Sequence, residues 1–287
     1  MMAYVIVTDS SADLSADMLA KYSIISVPLA VTLEGQEPRP NDQIDIKNFY
    51  AFLRSKKSAT TSAVAIESFK NVFESQLQAG NDVLYLGFSS GLSGTYNAGF
   101  VAARELKDQY PERTICAVDT LCASLGQGLL VYLCAKKREE GADLRTVCAF
   151  AEETKHRVCH WFTVDDLFFL KRGGRISAAT AVVGSMLQIK PVMHVDEAGH
   201  LINVAKARGR KGSLEALCAR MKESAIDPAS QTVFISHGDC EEDANYLADR
   251  IRETMGVEAF VIDYVGPVIG AHAGPGVVAL FFIGKER

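Results

Sequence analysis

The chain has 287 residues, of which 48% are hydrophobic and 23% charged. That length corresponds to about two ordinary domains with proper apolar cores, which excludes intrinsic disorder, collagen-like repeats and a disulfide-stapled miniature fold. With 30 Lys and Arg against 35 Asp and Glu the formal net charge is -5, so no overall positive field gathers nucleic acid.

Taken in chain order, residues 3–8 form a continuous apolar run that ends in Asp9-Ser10-Ser11, followed by Leu14, Met18 and Leu19 at helical spacing. Residues 25–33 are strand-like, with Pro28 favouring an edge or irregular place. A turn region at 35–40 precedes two helical faces, Phe49, Phe52 and Leu53, then Phe69, Val72, Phe73 and Leu77. Strands are predicted at 82–88 and 114–118, and helices from about 95 and over 125–137. This strand, helix, strand order predicts a parallel sheet with helices on both faces.

Beyond about residue 157 the pattern changes. Strands at 159–164, 189–195, 201–206, 232–237, 258–264 and 277–283 alternate with helices at 167–170, 178–187, 214–222 and 243–255. The turn Asp196-Glu197-Ala198-Gly199 makes an antiparallel hairpin of the second and third strands. The expected division is therefore 1–157, an α/β domain with a parallel sheet, and 158–287, a mixed-sheet α/β domain.

The N-terminus lacks the basic region and cleavage site of a secretory signal, and the seven cysteines lie singly in mostly apolar stretches. Both features predict small buried thiols in a reduced cytoplasm. Residues 266–284 contain no Asp, Glu, Lys or Arg before Lys285, which invites a membrane check. Pro267, Gly270, His272, Gly274, Pro275 and Gly276 interrupt any spanning helix, so the expectation is a loop leading into a buried strand.

The densest polar cluster is Ser89-Ser90-Gly91-Leu92-Ser93-Gly94-Thr95, where a strand gives way to a helix. Amides at a helix start and nearby hydroxyls suit a carboxylate or phosphate, and the same residues also serve as ordinary caps. Gly87 to Gly91 also fits the nucleophile elbow of α/β-hydrolases, with Asp263 and His272 following in the expected order. A serine hydrolase using Ser89, Asp263 and His272 is thus the alternative, although the oxyanion motif of that class is missing upstream. Thr60-Thr61-Ser62 reads alone as a helix cap. His272 sits in a rigid Gly and Pro framework, suited to holding an anion or to donating to a core carbonyl. His156 and His160 share helical spacing without the accompanying glutamate of a zinc site, so no metal is assigned. Lys171, Arg172 and Arg175, with the basic stretch 206–211, suit phosphate contact or plain solvation.

Jointly, Thr8-Asp9-Ser10-Ser11, Thr61-Ser62, the 89–95 cluster, Val118-Asp119-Thr120, Gly126-Gln127-Gly128, Lys171-Arg172-Gly173-Gly174-Arg175-Ile176 and the 266–276 segment occur in the order seen in the DegV family. The chain resembles these bacterial fatty-acid-binding proteins over nearly its whole length. The resemblance implies a two-domain α/β fold, Rossmann-like in its first part, with one long-chain fatty acid buried between or beneath the domains. It implies that Thr61, Ser62 and Ser93 hold the carboxylate and that His272 supports them. It further implies a carrier without catalytic machinery or cofactor, which presents the carboxylate to a separate fatty acid kinase for acyl phosphate formation. Arg172 and Arg208 are then the candidates for contact with the partner or the phosphate. Integral membrane segments and nucleic acid are not expected, and transient contact with a membrane surface is left open. The family commonly has Gln-Pro after the Thr-Ser pair, where this chain has Ala63, Val64 and Ala65.

Overall fold

A computed structural model describes residues 3–177 and 188–287. The helix expected over 178–187 lies outside the described residues. Strands β1 (Tyr4–Asp9), β2 (Ile24–Val27), β6 (Asp82–Gly87) and β7 (Ile115–Asp119) form a parallel sheet in the order β2-β1-β6-β7. Because side chains alternate along a strand, Val7, Val83 and Tyr85 face one side and Ile6, Leu84 and Leu86 the other. On the first side lie α2 (Ile46–Arg54), α3 (Ile66–Gln78) and α4 (Thr95–Lys107), which bury Phe49, Leu53, Phe69, Phe73 and Leu106. The second side carries α1 (Ala16–Lys21), α5 (Leu125–Glu139) and α6 (Leu144–Thr154). Helices on both faces are as the strand, helix, strand order predicts.

The helix starts follow their sequences. Ser15, Asp45 and Asp143 each accept the backbone N–H three residues on, which satisfies a donor that the helix itself leaves unpaired. Helix α5 differs, because every residue from Leu125 to Val131 is buried. It is sandwiched between two sheets, and a helix enclosed on all sides must be apolar all round.

Two expectations need correction in this half. The strand-like run 25–33 is two strands, β2 and β3 (Ala30–Leu33), in different sheets. Pro28 lies in the break, where it has no N–H to continue the ladder. Residues 60–62, read alone as a helix cap, belong to strand β5 (Ala59–Ser62), which pairs antiparallel with β3 beside the short β4 (Arg39–Pro40). Helix α3 starts only after Ala65, which makes no side-chain cap.

The second half forms a six-stranded mixed sheet in the order β10-β9-β8-β13-β11-β12. Its members are β8 (Val158–Thr163), β9 (Ile189–Val195), β10 (Leu201–Arg208), β11 (Thr232–His237), β12 (Ala259–Tyr264) and β13 (Val278–Ile283). The β9–β10 pair is the antiparallel hairpin expected from its turn. One face packs α8 (Gly209–Ser224) and α9 (Glu241–Met255) through Leu217, Met221, Leu247 and Ile251. From the other face Phe162, Met193, Phe234 and Phe281 enter the same apolar cluster as Ile6, Leu84 and α5.

Two short helices complete the described elements, α7 (Phe168–Arg172) and α10 (Pro267–Ala273). The second corrects the loop expected there: Pro267 opens the helix, where its missing N–H costs nothing, and Gly274 ends it at φ +77. Gly270 inside it is a close-packing site, since a Cβ would lie 2.8 Å from Phe49 and from the Tyr50 hydroxyl. The expectation of seven single thiols is also corrected. Cys116 on β7 and Cys148 on α6 are disulfide-bonded across 32 residues, with Cα atoms 6.5 Å apart. Helix α6 covers β7, so tertiary packing and not chain spacing brings them together. No helix among the described residues is long and apolar enough to cross a membrane.

Candidate functional site

In the parallel sheet the chain leaves β1 toward β2 on one side and leaves β6 toward β7 on the other. The loops beyond their carboxyl ends therefore diverge, and such a switch point leaves a crevice that α/β folds use for ligands. A cavity of about 170 Å³ lies here. Phe88, Leu92, Ser93 and Gly94 reach it from the loop after β6, and Ala123 and Ser124 from the loop after β7. Val265, Val268, Ile269, His272 and Ala273 line it at helical spacing, so α10 runs along one wall. The mixed sheet supplies Phe162, Val195, Ala279 and Phe281. The walls are thus chiefly apolar, with polar groups at a few places.

Thr61, Ser93, Arg175 and His272 all line this cavity. Thr61 Oγ1 and His272 Nε2 share a hydrogen bond of 2.8 Å. Ser93 Oγ lies 2.9 Å from Thr95 Oγ1 and accepts from the Thr95 N–H, so this serine both holds the first N–H of α4, ahead of its N-cap Gly94, and faces the cavity. Arg175 donates from Nε and Nη2 to the Leu92 carbonyl at 3.2 Å each, and from Nη1 to the Gly173 carbonyl. Its charge is held beside the loop that carries Ser93.

Burial, and then the nearby Arg175 and Arg172 charges, lower the His272 pKa to about 4. The imidazole is therefore neutral at ordinary pH, and the fixed positive charge of the pocket mouth belongs to the arginines. His272 Nδ1 has no hydrogen-bond partner among the described residues. Gly173 lies against it, and a Cβ there would come within 2.2 Å of that nitrogen. Neutral hydroxyl and imidazole groups backed by guanidinium charge make a place suited to a carboxylate taken out of water, which needs several donors.

Of the other expected site residues, Ser62 is exposed and lies off the cavity lining. Successive side chains on β5 point to opposite faces, so the strand that turns Thr61 inward turns its neighbour out. Arg172 ends α7 with its guanidinium over the Phe168 and Phe169 rings, 5.7 and 4.9 Å from their centroids. It lines a separate surface cleft with Lys56 and Lys57. Arg208 is exposed at the end of β10, where it also precedes α8.

The hydrolase grouping is not assembled. Ser89 is fully buried, its Oγ donating to the Gly199 carbonyl at 2.9 Å and accepting from the Gly91 N–H. His272 faces Thr61, and Asp263 accepts from the adjacent Tyr264 N–H. Among the described residues no hydrogen bond links the three. Buried serine thus ties the β6 loop to the β9–β10 hairpin, a role that a five-residue pattern cannot distinguish from an elbow.

Four lining residues carry no clear sequence signal: Arg175 was one of several basic candidates, and Ser124, His160 and Ser236 were not singled out as ligand contacts. Ser124 lies at φ +52, ψ -147, a region that favours glycine. Its Oγ donates to Asp13 Oδ2 at 2.5 Å and lies 3.1 Å from Ser236 Oγ. Burial raises the Asp13 carboxyl to a pKa of about 7 against the hydrogen bonds from Ser124 and the Gly266 N–H.

The sequence matches a family model described as "Uncharacterised protein, DegV family" over residues 3–285. A DegV domain-containing protein of Clostridium perfringens is 45% identical, covering 100% of this chain and 99% of that protein. Among solved structures, a DegV lipid-binding protein from Thermotoga maritima superposes with a TM-score of 0.88 at 32% identity, covering 100% of both chains. A DegV family protein from Thermus thermophilus, described for its fatty acid binding, gives 0.87 at 30% identity over 99% of this chain and 100% of that one.

Proposed function

This chain belongs to the DegV family, and from that premise we propose that it binds one long-chain fatty acid and presents its carboxylate to a separate fatty acid kinase. The observation that carries the proposal is one chiefly apolar cavity with Thr61, Ser93 and His272 on its wall and Arg175 beside them. Two structural neighbours, from Thermotoga maritima and Bacillus subtilis, are described as lipid-binding and fatty-acid-binding.

The carboxylate accepts hydrogen bonds from the Thr61 and Ser93 hydroxyls, whereas Ser62, which the family resemblance adds to this set, is turned outward on β5 and contributes at most a solvated hydroxyl. His272 Nε2 donates to Thr61 Oγ1, which leaves the Thr61 proton for the carboxylate. The acyl chain lies along α10, between the proposed units 1–157 and 158–287. Burying it is worth about 0.8 kcal/mol per methylene, on the order of 10 kcal/mol for a long chain before ordering costs. The protein is then a cytoplasmic carrier and not an enzyme. The kinase supplies the phosphoryl group, and Arg172 and Arg208 meet either that enzyme or the new phosphate.

Native mass spectrometry of the purified protein, with extraction of the ligand, tests the first part. The expected mass exceeds the polypeptide by one long-chain fatty acid, and re-adding that acid to stripped protein raises the melting temperature. A bare mass together with no binding of added fatty acid rejects the carrier. For the second part, acyl phosphate formation with a cognate kinase is followed beside a binding titration. Arg172→Ala with Arg208→Ala should depress phosphorylation far more than binding; equal phosphorylation removes both from the functional set.

A further inference from the structure

The cavity wall has a second polar place away from the carboxylate group. Ser124, Ser236 and His160 line it, and Ser236 and His160 are 0 and 1% exposed. Ser124 spends its single hydroxyl proton on the Asp13 carboxylate, so the proton between the two serines comes from Ser236. Ser236 Oγ is left as an acceptor. His160 Nδ1 lies 3.0 Å from the Val158 carbonyl, to which it must donate, so Nε2 is the unprotonated nitrogen. That Nε2 is buried with no partner among the described residues. Ser236 Oγ thus borders an otherwise apolar stretch as an acceptor with no donor to share, whereas His160 Nε2 packs against α5, where a Cβ on Gly126 would lie 2.1 Å from it.

The position of the serine pair follows from α10. Asp13 approaches Gly266 at the start of that helix, where a Cβ would lie 2.4 Å from Asp13 Oδ1, whereas His272 sits in the last turn. Six residues of helix rise by about 9 Å. Ser124 and Ser236 therefore flank the middle of a bound chain, beyond its head group.

We propose that the cavity is built to take a long-chain fatty acid bearing a mid-chain hydroxyl, whose O–H donates to Ser236 Oγ. This rests on the fatty-acid reading above and names the class of acid. The test compares stearate with its 3-, 10- and 12-hydroxy derivatives in binding titrations of stripped wild type and Ser236→Ala. One mid-chain isomer should bind wild type about three- to tenfold tighter than stearate, the worth of one net hydrogen bond. The 3-hydroxy acid should show no such gain. Ser236→Ala should lose the preference while binding stearate as before. If no mid-chain isomer is preferred by wild type, the Ser236 acceptor serves only the protein or a bound water, and the inference fails. Survival of the preference in Ser236→Ala also overturns it. Failure of wild type to bind stearate at all would instead reject the fatty-acid reading itself.

Discussion

Thr61 and Ser62 are neighbours in strand β5 and meet different surroundings, Thr61 on the cavity wall 2.8 Å from His272 and Ser62 in solvent. The residue pair therefore divides into an inward donor and an outward one, and only the inward one should matter strongly for a buried anion. Thr61→Ala and Ser93→Ala each remove one hydrogen bond to a charged group, worth roughly 1.5–3 kcal/mol, so fatty acid affinity should fall about ten- to 150-fold per change. Ser93→Ala also removes the acceptor of the Thr95 N–H and carries a small cost in melting temperature. Ser62→Ala should leave affinity within about a factor of two, as for a solvated hydroxyl. Isothermal titration of stripped protein checks all three, and unchanged affinity in the Thr61→Ala, Ser93→Ala double variant would return both hydroxyls to structural roles. Because the His272 pKa is lowered to about 4, none of these effects depends on protonating the imidazole between pH 6 and 8.

Among the elements, α7 and α10 are the shortest α-helices beside α1, and they meet at the mouth of the site. Their contact depends on missing side chains: Gly173 leaves room for the His272 imidazole and Gly274 for the Phe169 ring, where a Cβ would lie 2.5 Å away. Gly173 has an ordinary helical backbone, φ -70 and ψ -9, so alanine there is unstrained and its only conflict is with His272. Gly173→Ala should accordingly keep the melting temperature of the stripped protein within a few degrees and reduce fatty acid affinity by displacing His272 from Thr61. Circular dichroism melting and a binding titration test this; intact affinity would mean that the imbalance is absorbed elsewhere and that His272 need not hold Thr61. The basic turn around Gly173 was legible as a cluster, yet its glycine's purpose was not, because the imidazole it accommodates lies about a hundred residues further along the chain.

In the whole molecule the two sheets share one apolar cluster, to which Ile6, Leu84 and Val118 contribute from one side and Phe162, Met193 and Phe281 from the other, with α5 between. Residues 1–157 by themselves would expose that face of α5 and of the parallel sheet. At about 25 cal/mol per Å² of apolar surface, losing several such contacts exceeds the margin by which ordinary domains are stable. The isolated 1–157 fragment should therefore lack a cooperative unfolding transition, whereas the full chain should melt in one step that shifts upward with bound fatty acid. Differential scanning calorimetry decides this, and a cooperative transition in the fragment would show that each half is self-sufficient. Arg287 adds a polar link across the same boundary, donating to the Leu121 carbonyl at 2.6 Å and to the Lys155 carbonyl.

By itself the sequence determined the general layout and the family: alternating apolar runs and helical faces specify a parallel sheet covered on both sides, and the order of the polar clusters identifies the DegV family, whereas the break at Pro28, strand β5 and helix α10 were not specified by it. Those properties are local, set by side-chain periodicity and by motifs a few residues long. The tertiary structure alone decided that Thr61 faces the cavity and Ser62 does not, that Ser89 is a buried tie and no nucleophile, and that Cys116 meets Cys148. It also decided that Ser124 and Ser236, 112 residues apart, form one polar place in an apolar wall. Each of these depends on which strand pairs with which and on how α5 and α10 lie between the sheets, and a contact made by packing distant segments leaves no periodic trace in either of them.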